Sequence, residues 1–193
     1  MTTTDRKSIR GLDAMRALAH PARIAILLFL LSGEPRTATE CSEHTDESPS
    51  ACSYHLRELE RFGFVERAEP SDDRRARPWK PTAAGFSVGD DWTDTSLPVR
   101  TARQAVTTAE IEENRRLIMR FFEAEDSVDI SWRSAVDFHT FELMATPEEL
   151  KQINSEVGEL LRPYRPTGRT EIPEDAGPVH VVYQAFPRVT KAK

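Results

Sequence analysis

The apolar positions in the first third of the chain recur every three or four residues, as they do along one face of a helix. They predict a short helix over Asp13–Ala19 and a second, core helix that begins at Pro21 and stops at Gly33. A threonine, at position 37 or 39, can cap a third helix that runs to about His44. The sequence therefore begins with three short helices.

A fourth helix is predicted after Ser48, which serves as its cap, with Pro49 in its first turn. At about 100° per residue, Cys52, Leu56 and Leu59 fall on one side of this helix. Its polar side chains fall opposite or between: Ser50, Ser53, Tyr54, Arg57 and Arg61. One side is expected to pack against the core, and the other is free to contact a partner.

A hairpin is predicted directly after this helix, which ends at Gly63. Phe64–Glu69 and Pro78–Thr82 read as two strands, and PSDDRRAR between them reads as an exposed loop with a basic tip. Four helices followed by a hairpin is the order of elements in a winged helix-turn-helix.

Three motifs occur in this order over roughly Leu12–Phe86: ALAHPARIAILLFLL, SYHLRELERFGFVE and DDRRARPWKPTAAG. Together they resemble the ArsR-type winged helix-turn-helix repressors, particularly the form with a C-terminal extension that is common in actinobacteria. In that family a Leu-Ala-His-Pro-like opening leads into the second helix, and Ser-x-His-Leu-x-x-Leu marks the recognition helix. The matching residues here are Leu18–Pro21 and Ser53–Leu59. The resemblance implies a homodimer that places two recognition helices in successive major grooves and controls transcription.

The outer side of the fourth helix holds the expected contacts to double-stranded DNA, because recognition needs short polar groups and one long donor that reaches the groove floor. Arg57 is the long donor, and it either binds a guanine or contacts phosphate. Alternatively, Arg57 and Arg61 form ion pairs with Glu58 or Glu60 on a solvated helix. His55 lies at the edge of the buried side, where it either binds a phosphate or holds the helices together from inside.

The loop of the hairpin, or wing, carries Arg74, Arg75 and Arg77 beside two aspartates. Flexible arginines can enter a minor groove or bind the backbone, although a solvated turn with internal ion pairs is the alternative. Trp79 is expected to pack under the wing rather than stack on a base. The sequence thus predicts DNA contact through the helix at 48–61 and the wing at 70–78.

The motifs CSEH and CSYH raise the question of a metal site, because each places a cysteine and a histidine three residues apart, at Cys41 with His44 and at Cys52 with His55. The metal-sensing form of the family usually has Cys-x-Cys in its third helix, whereas TECSEH has one cysteine. Both cysteines also occupy positions where the apolar pattern favours Leu or Val. We therefore expect reduced, buried thiols with no metal and no cofactor, although whether these four residues ever bind metal stays open.

A long helix is predicted over Val99–Phe122, after a polar connector at 89–98. Small residues follow one another by three and four along it, at Val99, Ala102, Val106 and Ala109. Such a seam allows two helices to approach closely, so this is the predicted dimerisation helix. Packing within its own subunit is the alternative.

The remaining chain predicts a small strand-helix-strand module. Its strands are Phe138–Met144 and Val179–Phe186, the second expected to be buried on both sides, and the helix begins at a Thr146 cap with Glu149 completing a capping box. The predicted fold class is therefore α+β, with a winged helix-turn-helix domain at 1–88, a connector at 89–98, and the dimerisation helix and accessory module at 99–193.

Two functions are conceivable for this module. Six side chains could line a cavity for a small-molecule effector or simply fill the core: Trp132, Phe138, His139, Phe141, Tyr183 and Phe186. Asp137 with His139, or Glu171 with His180, would be needed for acid-base catalysis, yet neither pair lies in a nucleophile or phosphate motif. We therefore expect that the protein is not an enzyme.

The charge distribution permits a DNA partner despite the net charge of -6. Of the 26 Lys and Arg and the 32 Asp and Glu, 13 of each lie in residues 1–88, which leaves 13 against 19 in the rest. A neutral domain can bind phosphates where its basic groups converge. The first ten residues lack the apolar stretch of a signal peptide and the longest apolar run is too short for a bilayer, so we expect a cytoplasmic protein without membrane contact. A winged helix that contacts only proteins is a further alternative.

Overall fold

Four short helices form the first half of the chain. The structure, a computed structural model, describes residues 6–9, 11–69, 77–88, 92–166, 169 and 171–189. The helices are α1 (Leu12–Leu18), α2 (Pro21–Leu30), α3 (Ala38–His44) and α4 (Pro49–Arg61). Their starts confirm the predicted signals: Thr37 caps α3, Ser48 caps α4, and both α2 and α4 begin with a proline.

Four short strands accompany these helices. They are β1 (Arg6–Ile9), β2 (Val65–Arg67), β3 (Trp79–Pro81) and β4 (Gly85–Val88). The antiparallel pair of β2 with β3 confirms the predicted hairpin, although its strands are shorter than expected. The parallel pair of β1 with β4 was not predicted, because four mostly polar residues give no strand pattern on their own. Most of the predicted wing loop, residues 70–76, lies outside the described residues.

The core of this half lies among α1, α2, α3, α4 and the hairpin. Its fully enclosed side chains include Leu18, Ile26, Leu30, Leu56, Leu59, Phe64, Val65 and Trp79. Truncating one of the leucines to alanine would cost about 2–5 kcal/mol of stability. Trp79 is only 2% exposed, which confirms the prediction that it packs beneath the hairpin.

The predicted long helix is confirmed as α5 (Leu97–Ala124). Ala102, Val106 and Ala109, three members of the predicted dimer seam, are buried and join the core cluster of the first half. These three residues therefore pack within the chain, and a dimer contact through α5 stays a prediction. The physical reason is that small side chains allow any close neighbour to approach, whether it comes from the same chain or from another.

The remaining elements are α6 (Ile130–Arg133) and α7 (Pro147–Leu161). Thr146 and Glu149 form the predicted capping box of α7. The strands predicted over Phe138–Met144 and Val179–Phe186 are wrong, since no strand is assigned there. A strand requires a pairing partner, whereas the pattern of side chains records only its propensity.

The expectation that the last of these segments is buried on both sides is also wrong. Val179 and Phe186 are 66% and 76% exposed. The apolar positions of α7, which the helical period predicts as its core face, are only half-buried at Leu150, Ile153, Val157 and Leu161, and Leu160 is 69% exposed. This part of the chain therefore has no closed core of its own in the described residues.

The chain divides into two compact units, Met1–Arg120 and Phe121–Lys193. The division falls within α5 rather than at the connector, and the predicted domain boundaries at 88 and 98 stay a prediction. None of the described helices is both long and apolar enough to span a bilayer.

Candidate nucleic-acid interface

The outer side of α4 presents a row of polar side chains to solvent. Four of these side chains are exposed, namely Ser50, Tyr54, Arg57 and Arg61, and the fifth, Ser53, is half-buried. Cys52, Leu56 and Leu59 on the opposite side are 0% exposed. The helix is therefore anchored by one side and open on the other, as the sequence predicted.

Arg57 and Arg61 differ in their surroundings. Arg61 Nη1 lies 3.9 Å from Glu58 Oε1, a long contact that fits the solvated ion-pair alternative in part. Among the described residues, Arg57 has no carboxylate within 4.0 Å. Its guanidinium can therefore bind an external acceptor without breaking an existing ion pair.

The start of α4 is organised by serines. The Ser48 hydroxyl accepts a hydrogen bond from the Ala51 N–H at 3.2 Å, and it lies 3.1 Å from the Ser50 hydroxyl. The exposed N–H groups of the first turn and the positive end of the helix dipole attract anions such as phosphate. Ser50 is placed where it can bind the backbone of a nucleic acid.

His55 occupies a buried position, being 6% exposed. Its Nδ1 accepts a hydrogen bond from Arg23 Nε at 3.4 Å, and its ring lies 4.6 Å from the His20 ring. Arg23 also donates to the Ala17 carbonyl at 2.9 Å, so it connects α1, α2 and α4. Burial, with help from His20 and Arg23, lowers the pKa of His55. These contacts favour the internal role over a phosphate contact.

The hairpin places a further arginine beside the candidate interface. Arg67 lies over the Trp79 ring, 3.6 Å from its centroid, and its Nη1 donates to the Arg77 carbonyl at 2.6 Å. The side chain of Arg77 is exposed, while Arg74 and Arg75 lie outside the described residues. Sequence reasoning missed Arg67 and Arg23, because their roles depend on partners from other elements.

Both cysteines are buried in the first unit. Cys41 and Cys52 are 0% exposed, and burial raises the pKa of Cys41 to about 12 and also raises the pKa of Cys52. The Thr45 hydroxyl lies 3.4 Å from Cys52 Sγ. The described residues contain no group of three or more potential metal-ligating side chains. Both thiols pack as small apolar groups, as predicted.

The second unit does not assemble the sites that the sequence suggested for it. The five aromatic side chains of the proposed effector cavity are 40–76% exposed, so they neither fill a core nor enclose a cavity. His139 Nδ1 and Asp137 Oδ2 are 2.8 Å apart, but both side chains are largely exposed. An effector stays a prediction.

Comparisons with known proteins match a part of the first unit. A family model described as a helix-turn-helix domain matches residues 18–68. A probable mercury resistance operon repressor of Streptomyces lividans is 40% identical over 75 residues, which cover 39% of this chain and 51% of that protein. The match thus spans about half the length of that relative.

Two solved structures of ZitR from Lactococcus lactis were also found. An apo double mutant is 16% identical with a TM-score of 0.32, covering 76% of this chain and 84% of that chain. A single mutant is 17% identical with a TM-score of 0.30, covering 74% of each chain. With identities and TM-scores this low, neither structure supports an argument about the fold. The description of the fold depends on the match to the helix-turn-helix model and on the observed elements. Residues 18–68 of this chain therefore match a helix-turn-helix domain, and α2, α3 and α4 all lie within the matched residues.

Proposed function

We propose that the protein is a homodimeric, sequence-specific DNA-binding transcriptional regulator that acts as a repressor in the cytoplasm and has no enzymatic activity. It binds a two-fold symmetric operator through the outer side of α4 and through the wing. The observation that carries the proposal is the exposed polar row on a helix whose opposite side is fully buried. The repressor named among the comparisons supports the direction of regulation.

In this proposal each polar residue of α4 has a task. Ser50 and Ser53 bind phosphate or base edges near the start of the helix, and Tyr54 and Arg57 reach further into the groove. Arg61 and the wing arginines Arg74, Arg75 and Arg77 bind the backbone or an adjacent minor groove. His55 supports this surface from inside by holding α4 against Arg23.

Selection of bound fragments from a random DNA pool tests the proposal directly. The expected result is enrichment of a symmetric site whose half-sites lie about 34 Å apart, one helical turn. A pool without enrichment would overturn it. Salt distinguishes DNA recognition from a winged helix that binds only proteins, because affinity for DNA falls steeply as salt rises.

Arg57→Ala tests the residue assignment on the selected site. If Arg57 binds a guanine, its loss relaxes preference at one position by about 1–3 kcal/mol; if it contacts phosphate, affinity falls equally for all sequences. Arg162→Ala is the matched control, because it removes the same charge from an exposed arginine of the second unit that pairs with Glu159 at 3.0 Å. Equal affinity of the Arg57 variant and the control would remove Arg57 from the interface.

A further inference from the structure

A cleft of about 390 Å³ lies along the first half of α5, within the first unit. Its described lining residues on α5 recur every three or four positions from Arg100 to Ile111, so they share one side of the helix. At a rise of 1.5 Å per residue, these two positions lie about 16 Å apart. The volume falls within the range of about 300–1,000 Å³ that is usual for small-molecule sites. None of the described residues that line the cleft belongs to α4, so it is separate from the candidate nucleic-acid interface.

One wall of the cleft is the indole of Trp92, which precedes α5 in the chain and is 67% exposed. Cζ of Arg103 lies over this ring, 4.4 Å from its centroid. Arg103 is itself only 6% exposed, and its Nη2 donates a hydrogen bond to the Asp94 carbonyl at 3.3 Å. A buried guanidinium attracts the indole and limits its movement, while the exposed part of the ring stays open to a further aromatic group. Ile111, which is 45% exposed, extends the apolar surface.

The other lining side chains are polar or positively charged. Arg100 is exposed, and no carboxylate of the described residues lies within 4.0 Å of its guanidinium. Gln104, Thr107 and Thr108 add amide and hydroxyl groups that can donate hydrogen bonds. The described lining includes no acidic residue. An exposed guanidinium beside neutral donors is complementary to a carboxylate, which can accept two parallel hydrogen bonds from it.

We propose that this cleft binds a planar aromatic carboxylate whose rings stack on Trp92 and whose carboxylate pairs with Arg100. A small inorganic anion would leave the apolar surface of Trp92 and Ile111 uncovered, and a neutral aromatic molecule would offer no charge to Arg100. The site differs from the effector cavity that the sequence suggested for the second unit. The inference concerns ligand binding by the first unit and does not depend on whether the chain binds DNA.

Titration of the full chain with 2-naphthoate tests the proposal, followed by NMR through the indole N–H signals of its three tryptophans. The Trp92 signal should shift saturably with a dissociation constant of about 1 mM or lower, the value expected for a ligand of this size. Trp79 is 2% exposed and Trp132 belongs to the second unit, so their signals should stay in place. No saturable shift up to about 10 mM, or an equal shift of Trp132, would overturn the proposal.

The neutral analogue 2-naphthalenemethanol tests the charge of the ligand. It keeps the two rings but lacks the carboxylate, so it should bind at least about fivefold more weakly than 2-naphthoate. Equal affinity of the two compounds would exclude recognition of the anionic group and would overturn the proposal.

Arg100→Gln tests the residue that pairs with the carboxylate. It should weaken 2-naphthoate about fivefold, because an exposed ion pair contributes modestly, and should leave the neutral analogue unaffected. Arg115→Gln is the matched control on the same helix, since Arg115 lies outside the cleft and its side chain, 68% exposed, pairs with Glu112 at 3.1 Å. Equal affinity of the Arg100 variant and the control for 2-naphthoate would remove Arg100 from the site and contradict the proposal.

Trp92→Leu tests the stacking, because it keeps an apolar side chain but removes the flat ring. It should weaken 2-naphthoate and the neutral analogue alike, by about fivefold, as measured from the NMR signals of the ligands. Unchanged affinities would show that the rings do not stack on Trp92 and would refute the inferred site. A failed DNA selection would leave all of these results unaffected, so the two proposals can fail separately.

Discussion

His55→Ala separates an internal role of His55 from a DNA contact, because the two roles predict opposite results in two assays. The substitution removes a ring that is 6% exposed, a hydrogen bond from Arg23 at 3.4 Å and a ring contact with His20 at 4.6 Å. The long hydrogen bond contributes about 1 kcal/mol at most. The lost packing adds about 1–2 kcal/mol, less than a leucine truncation because the ring is small and polar.

The free energy of unfolding of the first unit should therefore fall by about 2–3 kcal/mol. With a urea dependence of about 1–3 kcal/mol per molar, the midpoint should move down by about 1–2 M. Circular dichroism in urea measures the shift, and binding of duplex DNA is compared in buffer where the variant is still folded. Because the ring does not contact DNA in this account, affinity should change by less than about threefold.

Arg57→Ala is the matched comparison, since it lies two residues further on the same helix but on the exposed side. It should leave the urea midpoint nearly unchanged, because exposed substitutions usually stay within about 0.5 kcal/mol, and it should weaken DNA binding. If His55→Ala instead leaves the midpoint unchanged and lowers DNA affinity more than about tenfold, the imidazole contacts DNA and the internal assignment is wrong.

Two further predictions concern buried titratable groups. Burial, followed by nearby arginines or His20, lowers the pKa of His44 and His55 from 6.5, so the folded chain binds fewer protons than the unfolded chain. The stability that results is present above pH 6.5 and is lost as the pH falls through the lowered pKa values of the two histidines. The urea midpoint should therefore be higher at about pH 7.5 than at about pH 5.5. A midpoint that is unchanged or rises on acidification would contradict this prediction. Cys41 and Cys52 are fully buried with raised pKa values, so a thiol reagent should react at least about 100-fold more slowly with the folded chain than in urea, and rapid labelling of the folded chain would refute their burial.

The first unit could be predicted well because its signals are local. The caps at Thr37 and Ser48 mark helix starts within a few residues of sequence. Gly63 has a φ of +69°, a conformation that favours glycine, so the end of α4 is also recorded in a single residue. The outer side of α4 follows from the period of the helix alone. The part of the candidate site on this helix therefore needed no knowledge of tertiary contacts.

Roles that depend on distant partners could not be predicted in the same way. Arg23 binds His55 across 32 residues, and Arg67 stacks on Trp79 only because β2 and β3 pair in that register. β1 is too short and polar to be recognised without β4. In each case the residue type can be read from the sequence, whereas its contact partner is determined by the tertiary fold.

The small-residue seam of α5 and the missing strands of the second unit illustrate the same physical limit of a sequence pattern. A periodic pattern of apolar residues indicates that one face of a helix or strand is buried, but it does not indicate whether the same chain or another chain buries it. For Ala102, Val106 and Ala109 other residues of the same chain cover the side chains. The residues after α5 show the opposite outcome, because their apolar side chains are uncovered within one chain.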